Sequence, residues 1–196
     1  MGTAQEHRGK REYALSIAYE RIVDEFLAAI PVVQSILLER IESDHWSIVH
    51  PAWRNHPDRI DLRIDFNWLR QRNKRRDKLD VSIWCGDVLC GLFLAKLSRR
   101  RINVALRYLE SNPYPNPLLG YMIPIGLIIA ESFALAYEAK EVAVCQPDKY
   151  LIPLYRERGY QLNAADLSRE KRKCDIRAKV LVKTVLATNR AFNEHG

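Results

Sequence analysis

The residues best placed for chemistry stand in one short stretch, Leu154-Tyr155-Arg156-Glu157-Arg158-Gly159-Tyr160. Leu151, Leu154 and Tyr155 follow helical i, i+3, i+4 spacing, and Gly159 stands where a left-handed C-cap ends such a helix. A tyrosine in that last turn points back toward the sheet its helix packs on. Tyr155 is therefore either a core aromatic or a phenol held out of water for chemistry, and spacing alone favours the core. Four cysteines, Cys85, Cys90, Cys145 and Cys174, offer no Cys-x-x-Cys pair and no histidine at zinc spacing, so reduced thiols are expected and a metal centre is not.

A second set of candidates is electrostatic. The formal charge is +7, which draws polyanions or phosphorylated small molecules before any specific contact forms. The basic residues gather in runs at 70–78 (with Arg75 and Arg76), at 98–101 (with Arg100 and Arg101) and at 169–173 (with Arg172 and Lys173). Solvated turns are the commoner meaning of such runs, and a grip on nucleic acid is the alternative. Apolar residues at 47% and charged residues at 28% of 196 positions describe a soluble globular chain of one-domain size. No stretch resembles a signal peptide, no apolar run reaches the roughly 20 residues of a membrane span, and Glu6 stands where a myristoylation signal wants Ser or Thr. A cytoplasmic protein is the expectation.

The elements that must position these residues follow from periodicity. Residues 1–11 are polar and expected to fray, whereas Leu15, Tyr19, Ile22, Val23, Phe26 and Ile30 form a helical stripe. Pro31 opens a second predicted helix carrying Val32, Val33, Ile36, Leu37 and Ile41. Ile60, Leu62, Ile64 and Phe66 alternate with polar residues as a first strand. Leu79 to Ile83, a turn at Gly86-Asp87 that pairs Cys85 with Val88, a run from Val88 to Leu97 covered on both faces, and Ile102 to Glu110 complete an antiparallel meander. In that meander Gly86 and Glu110 share one end of the sheet, and the runs at 70–78 and 98–101 share the other. The proline-dense stretch 111–126 is expected to be irregular. A crossover helix then spans 127–140, a parallel strand 141–145 follows, and after Tyr160 a polar loop precedes a last strand over 176–182.

This order, together with Leu-Tyr-x-x-x-Gly-Tyr at 154–160 and Gly91 in Asp-Val-Leu-Cys-Gly-Leu-Phe, resembles the GNAT superfamily of N-acetyltransferases. The resemblance implies an α/β (α+β) fold with a mixed sheet, an antiparallel meander followed by a β-α-β crossover. It divides the chain into an N-terminal helical segment 1–59, an acyltransferase domain 60–183 and a tail 184–196, all within one compact domain. It implies acetyl-CoA or another acyl-CoA as cofactor, an amine-bearing acceptor, Tyr155 as the acid that protonates the thiolate, and Glu110 as base. Leu109, Ser111, Ile125, Gly126, Leu127 and Asp148 would lie against the coenzyme, with backbone N–H groups near 125–127 on its pyrophosphate.

Several positions depart from the family pattern. Tyr121 and Pro124 stand where the family has a cation or glutamine and a glycine, and only Gly126 agrees. Asp148 replaces an asparagine. The alternative to acyl transfer is a protein of the same fold that binds or modifies nucleic acid through Arg75, Arg76, Arg100, Arg101, Arg172 and Lys173. A third reading uses the N-terminal stripe for homodimerisation. Trp46, Trp53, Trp68 and Trp84 would line either a pocket or an interface.

Overall fold

A computed structural model of the chain describes residues 3–57, 67, 68, 78–98 and 102–185. The predicted strand at 60–66, the basic residues Arg75, Arg76, Arg100 and Arg101, and the tail beyond 185 lie outside the described residues.

From Ala4 onward the polar start of the chain is helical, because it is capped and anchored. Helix α1 spans Ala4–Phe26; the Thr3 side chain accepts the N–H of Glu6, and Arg8 pairs with Glu12 at 2.8 Å. His7 meets the Tyr137 hydroxyl at 2.7 Å, and Arg11 reaches buried Asp80, so tertiary contacts begin within the first turns. Burial also rotates the predicted stripe. The fully buried line is Ala14, Ala18, Ile22 and Phe26, while Tyr19 is exposed. Alanine at 14 and 18 lets a neighbouring backbone come close, which a search for large apolar residues overlooks.

The second predicted helix is replaced by a 3-10 turn at Pro31–Ser35 and a strand β1, Ile36–Glu39. A short apolar run cannot be assigned by periodicity alone, and pairing with β2 decides it: Ile36 stands opposite Cys85 and Glu39 opposite Ser82. The first sheet strand thus comes from within 1–59. A short helix α2, Ser43–Val49, follows it.

Strands β2 (Lys78–Cys85), β3 (Val88–Leu97) and β4 (Asn103–Ser111) form the expected meander, with Cys85 opposite Val88 across the turn at Gly86. Gly86 and Glu110 share one end of the sheet, since Gly91 pairs with Ser111 while Leu97 pairs with Val104 at the other. Helix α3, Met122–Ala136, crosses over to β5 (Glu141–Cys145), which lies parallel to β4. The proline-rich stretch therefore yields helix from Met122, earlier than expected. Pro124 is the third helical residue, where no intrahelical acceptor awaits its missing N–H. Helix α3 is apolar nearly all round because it is sandwiched between the sheet and α1.

Helix α4, Ile152–Glu157, ends at Gly159, whose φ of +83° is the predicted left-handed stop. The polar loop expected after Tyr160 is instead strand β6 (Gln161–Leu162) and helix α5 (Ala164–Lys171). Asn163 caps that helix by accepting the Asp166 N–H at 2.9 Å, a signal the basic composition concealed. The last strand β7 is Val180–Thr184, not 176–182, because Ala178 turns the chain with φ of +51° just before it. Among the described residues the sheet has seven strands in the order β1-β2-β3-β4-β5-β7-β6. One face carries a large cluster with α1, α3 and α4; the other carries Ile41, Val49, Trp53, Trp68, Leu89, Leu92 and Leu94. No helix among these residues is long and apolar enough to cross a membrane.

Candidate active site

The β4–β5 ladder ends at Leu106 opposite Val144, although β4 continues to Ser111. β5 itself ends at Cys145, where Gln146 takes a φ of +49°, and β4 is bulged on its other edge. Leu94 pairs with Tyr108 and Ala95 with Leu106, leaving Arg107 as an extra residue, and such a bulge bends and twists its strand. It also exchanges faces. Val104 and Leu106 belong to the large cluster before the bulge, and Leu109 packs on that cluster after it, which sends Glu110 to the opposite face. Beyond Cys145, β4 therefore runs on to Ser111 with no β5 residue paired to it, and the two strands part there.

Two glycines seat α3 beside this parting. A Cβ on Gly91 would stand 2.7 Å from Met122 Cε and 3.0 Å from the Glu110 carbonyl oxygen; one on Gly126 would stand 2.8 Å from Leu109 Cδ2. The role of Gly126 is therefore close packing on Leu109. The Ile125 N–H donates to the Tyr121 carbonyl at 3.0 Å, and the amides of Gly126 and Leu127 lie deeper in the helix. The donors with no intrahelical acceptor are those of Met122 and Ile123, a turn earlier than expected from sequence.

Tyr155 is 6% exposed and belongs to the large cluster. Burial first, and then nearby Asp148, raise its phenol above the ordinary range, so it holds its proton through neutral pH. Its ring meets Tyr160 edge-on at 6.4 Å. Tyr160 is fixed in turn by Glu131 of α3, whose Oε1 accepts the Tyr160 hydroxyl at 3.3 Å and Lys183 Nζ at 2.8 Å, while Oε2 accepts Arg21 of α1 at 2.8 Å. Burial and then Glu131 push the Tyr160 phenol far upward. Sequence reasoning missed this network, yet Glu131 is the lone charge in the apolar run 122–136, and that signal was available.

Glu110 is buried on the opposite face, where the Trp68 indole N–H donates to its Oε2. Trp53 and Trp68 are core residues of the smaller cluster, with Trp46 and Trp84 packed around them. The structure thus brings Tyr155 and Glu110 to the same end of the sheet but on different faces. Among the other candidates, Asp148 is exposed and caps the turn Lys149–Leu151 through the Tyr150 N–H at 3.0 Å. Ser111 donates to the Asn112 carbonyl at 3.3 Å. Arg172 donates through Nε to the Ser168 carbonyl, and Lys173, with φ of +56°, follows it past the end of α5. No group of three or more metal-ligating side chains occurs among the described residues.

No family model matches the sequence, and no curated protein matches it. The structure, in contrast, superposes on solved acetyltransferases. Over 77% of this chain it aligns with the N-acetylglutamate synthase from Neisseria gonorrhoeae complexed with coenzyme A and L-arginine, at a TM-score of 0.52 and 14% identity, spanning 33% of that chain. A Lactobacillus plantarum protein described as an N-acetyltransferase aligns over 77% of this chain and 97% of its own, at a TM-score of 0.51 and 12% identity. The chain has the GNAT fold. Within that fold the sheet runs β1-β2-β3-β4-β5-β7-β6, and α1 packs against α3.

Proposed function

We propose that this protein is an N-acyltransferase that moves an acetyl or other acyl group from acyl-CoA to an amine acceptor. The observation that carries this is the parting of β4 from β5 beyond Leu106, with a buried, proton-retaining phenol, Tyr155, on the helix that follows β5. The residues present fit the coenzyme in kind. Met122 and Ile123 offer two backbone donors at the positive end of α3, and Pro124 withholds a third. When bound, coenzyme A supplies an activated acyl thioester with a sulfur leaving group. Tyr155 then serves as the proton source for that sulfur, its raised pKa keeping the hydroxyl protonated until the thiolate forms. Glu110, buried at the same end of the sheet but on the face opposite Tyr155, with the Trp68 indole N–H on its Oε2, is the candidate base for the acceptor's ammonium.

Isothermal titration with acetyl-CoA is the direct test, and saturable heat below millimolar ligand is expected. A folded sample that gives none refutes the proposal. Tyr155→Phe should lower kcat by about 10²-fold while leaving acetyl-CoA affinity in place. Unchanged turnover would remove the acid assignment alone.

A further inference from the structure

The connection from β6 to β7 builds a second feature at the same end of the sheet. Val180 pairs with Cys145, and the Gln146 N–H donates to the Lys179 carbonyl at 2.9 Å, so residues 163–179 gather beside the C-terminal end of β5. There they enclose a groove of about 380 Å³ whose lining includes Arg169, Arg172, Arg177 and Lys179 together with Asn163 and the carboxylate Asp166.

The carboxylates of this connection are committed to other partners. Asp175 pairs with Lys149 at 3.0 Å and Glu170 with Arg156 at 2.8 Å, while buried Asp166 accepts the Arg177 N–H at 2.8 Å and the Asn163 side-chain amide at 3.2 Å. None of them is ion-paired with Arg169, Arg172, Arg177 or Lys179. Two of the arginines are held by their Nε atoms, Arg169 on the Asp175 carbonyl at 2.6 Å and Arg172 on the Ser168 carbonyl at 3.2 Å. Their forks are therefore positioned before a ligand arrives. With Asp166 held by the Arg177 N–H and the Asn163 amide, four cations against one carboxylate leave an excess of about three positive charges, more than a single ligand carboxylate would match, whereas a phosphate carries more charge and accepts bidentate arginine contacts. The volume suits one phosphate with part of the molecule that bears it.

We propose that this groove receives a phosphate group of the acceptor, which makes the acceptor a phosphorylated small-molecule amine. The acceptor role rests on the acyl-transfer proposal; the phosphate site stands on the groove itself. The phosphate could come from the acceptor or from the nucleotide of the coenzyme, and the experiment separates these sources. The full-length chain is titrated calorimetrically with inorganic tripolyphosphate at low salt, alone and saturated with adenosine 3′,5′-bisphosphate. The same is done with Arg177→Ala/Lys179→Ala and with a charge-matched control on α1, Arg8→Ala/Lys10→Ala.

The expected result is binding that persists with the bisphosphate present, falls by about tenfold or more in the groove variant, and stays within about twofold in the control. Circular dichroism verifies that each variant is folded. Absent binding, equal losses in both variants, or full competition by the bisphosphate would each overturn the proposal. A short single-stranded oligonucleotide that binds far more tightly than tripolyphosphate, and is lost in the groove variant, overturns the small-molecule form in favour of nucleic acid. If acetyl-CoA gives no heat while tripolyphosphate binds the groove, the acceptor role is overturned and the anion site survives.

Discussion

Replacing Glu131 by alanine should unfold this protein more readily than any surface change, and the cost can be worked from its partners. The Glu131 side chain is 9% exposed and accepts Arg21 and Lys183, each at 2.8 Å. Removing one member of a fully buried pair costs about 3–5 kcal/mol, because the other charge is stranded. Here Arg21 is 38% and Lys183 32% exposed, so both can turn to water, and the ionic loss falls to about 1–2 kcal/mol. Buried Tyr160 also loses the acceptor of its hydroxyl, worth about 1–3 kcal/mol. The sum is roughly 3 kcal/mol, or a drop in Tm on the order of 10 °C for a chain of this size. Glu131→Gln keeps an oxygen for Tyr160 and should cost about half as much. Urea unfolding of wild type and both variants at neutral pH measures this, and Tyr160→Phe in the Glu131→Ala background should add less than it does alone. A Glu131→Ala protein within about 1 kcal/mol of wild type, or a glutamine variant as unstable as alanine, would refute the assignment of Glu131 as the tie between α1, α3 and β7.

Two further outcomes follow from the same structure. Gly91→Ala places a Cβ against Met122 and the Glu110 carbonyl, so it should destabilise by about 1–3 kcal/mol; adding Met122→Ala should recover only part, since the carbonyl contact remains. Full stability of the single variant in a urea melt would show that α3 does not sit on β3 as described. Stability should also fall in alkali. The Cys90 thiol is pushed up to about 11 from its usual 9.0 by burial, and both Tyr155 and Tyr160 are raised. In each case the folded state keeps the proton that the unfolded chain gives up, so the contribution is fully present below pH 9 and is lost as pH rises past 9 and then 10, at up to about 1.4 kcal/mol per unit per group. Urea melts between pH 8 and 10.5 that showed constant or rising stability would contradict the burial of these three groups.

Local signals in the chain were enough for the hairpin at Gly86, the doubly covered strand β3, the crossover and the stop at Gly159. Each is set by turn chemistry or by continuous burial within a few residues of itself. Gly86 and Glu110 could be placed at one end of the sheet for the same reason, since strand order dictates which ends meet. The amides without an intrahelical acceptor, those of Met122 and Ile123, lie a turn before the expected 125–127, because nothing in a proline-rich sequence announces that Pro124 sits inside the first turn of a helix.

The remaining features depend on partners distant in sequence. Whether Ile36 to Glu39 is helix or strand is settled by β2, more than 40 residues away. Capping and anchoring by Tyr137 and Asp80 order the polar start of α1. The bulge at Arg107 changes which face Glu110 occupies, and that depends on register with β3. Composition, turns and period thus determined the meander from β2 to β4, the crossover to β5 and the stretch that holds Tyr155, but not β1, α2, β6 or α5. Only the tertiary structure decided register, the face of each side chain and which charges find partners, because those follow from long-range pairing that local propensity does not encode.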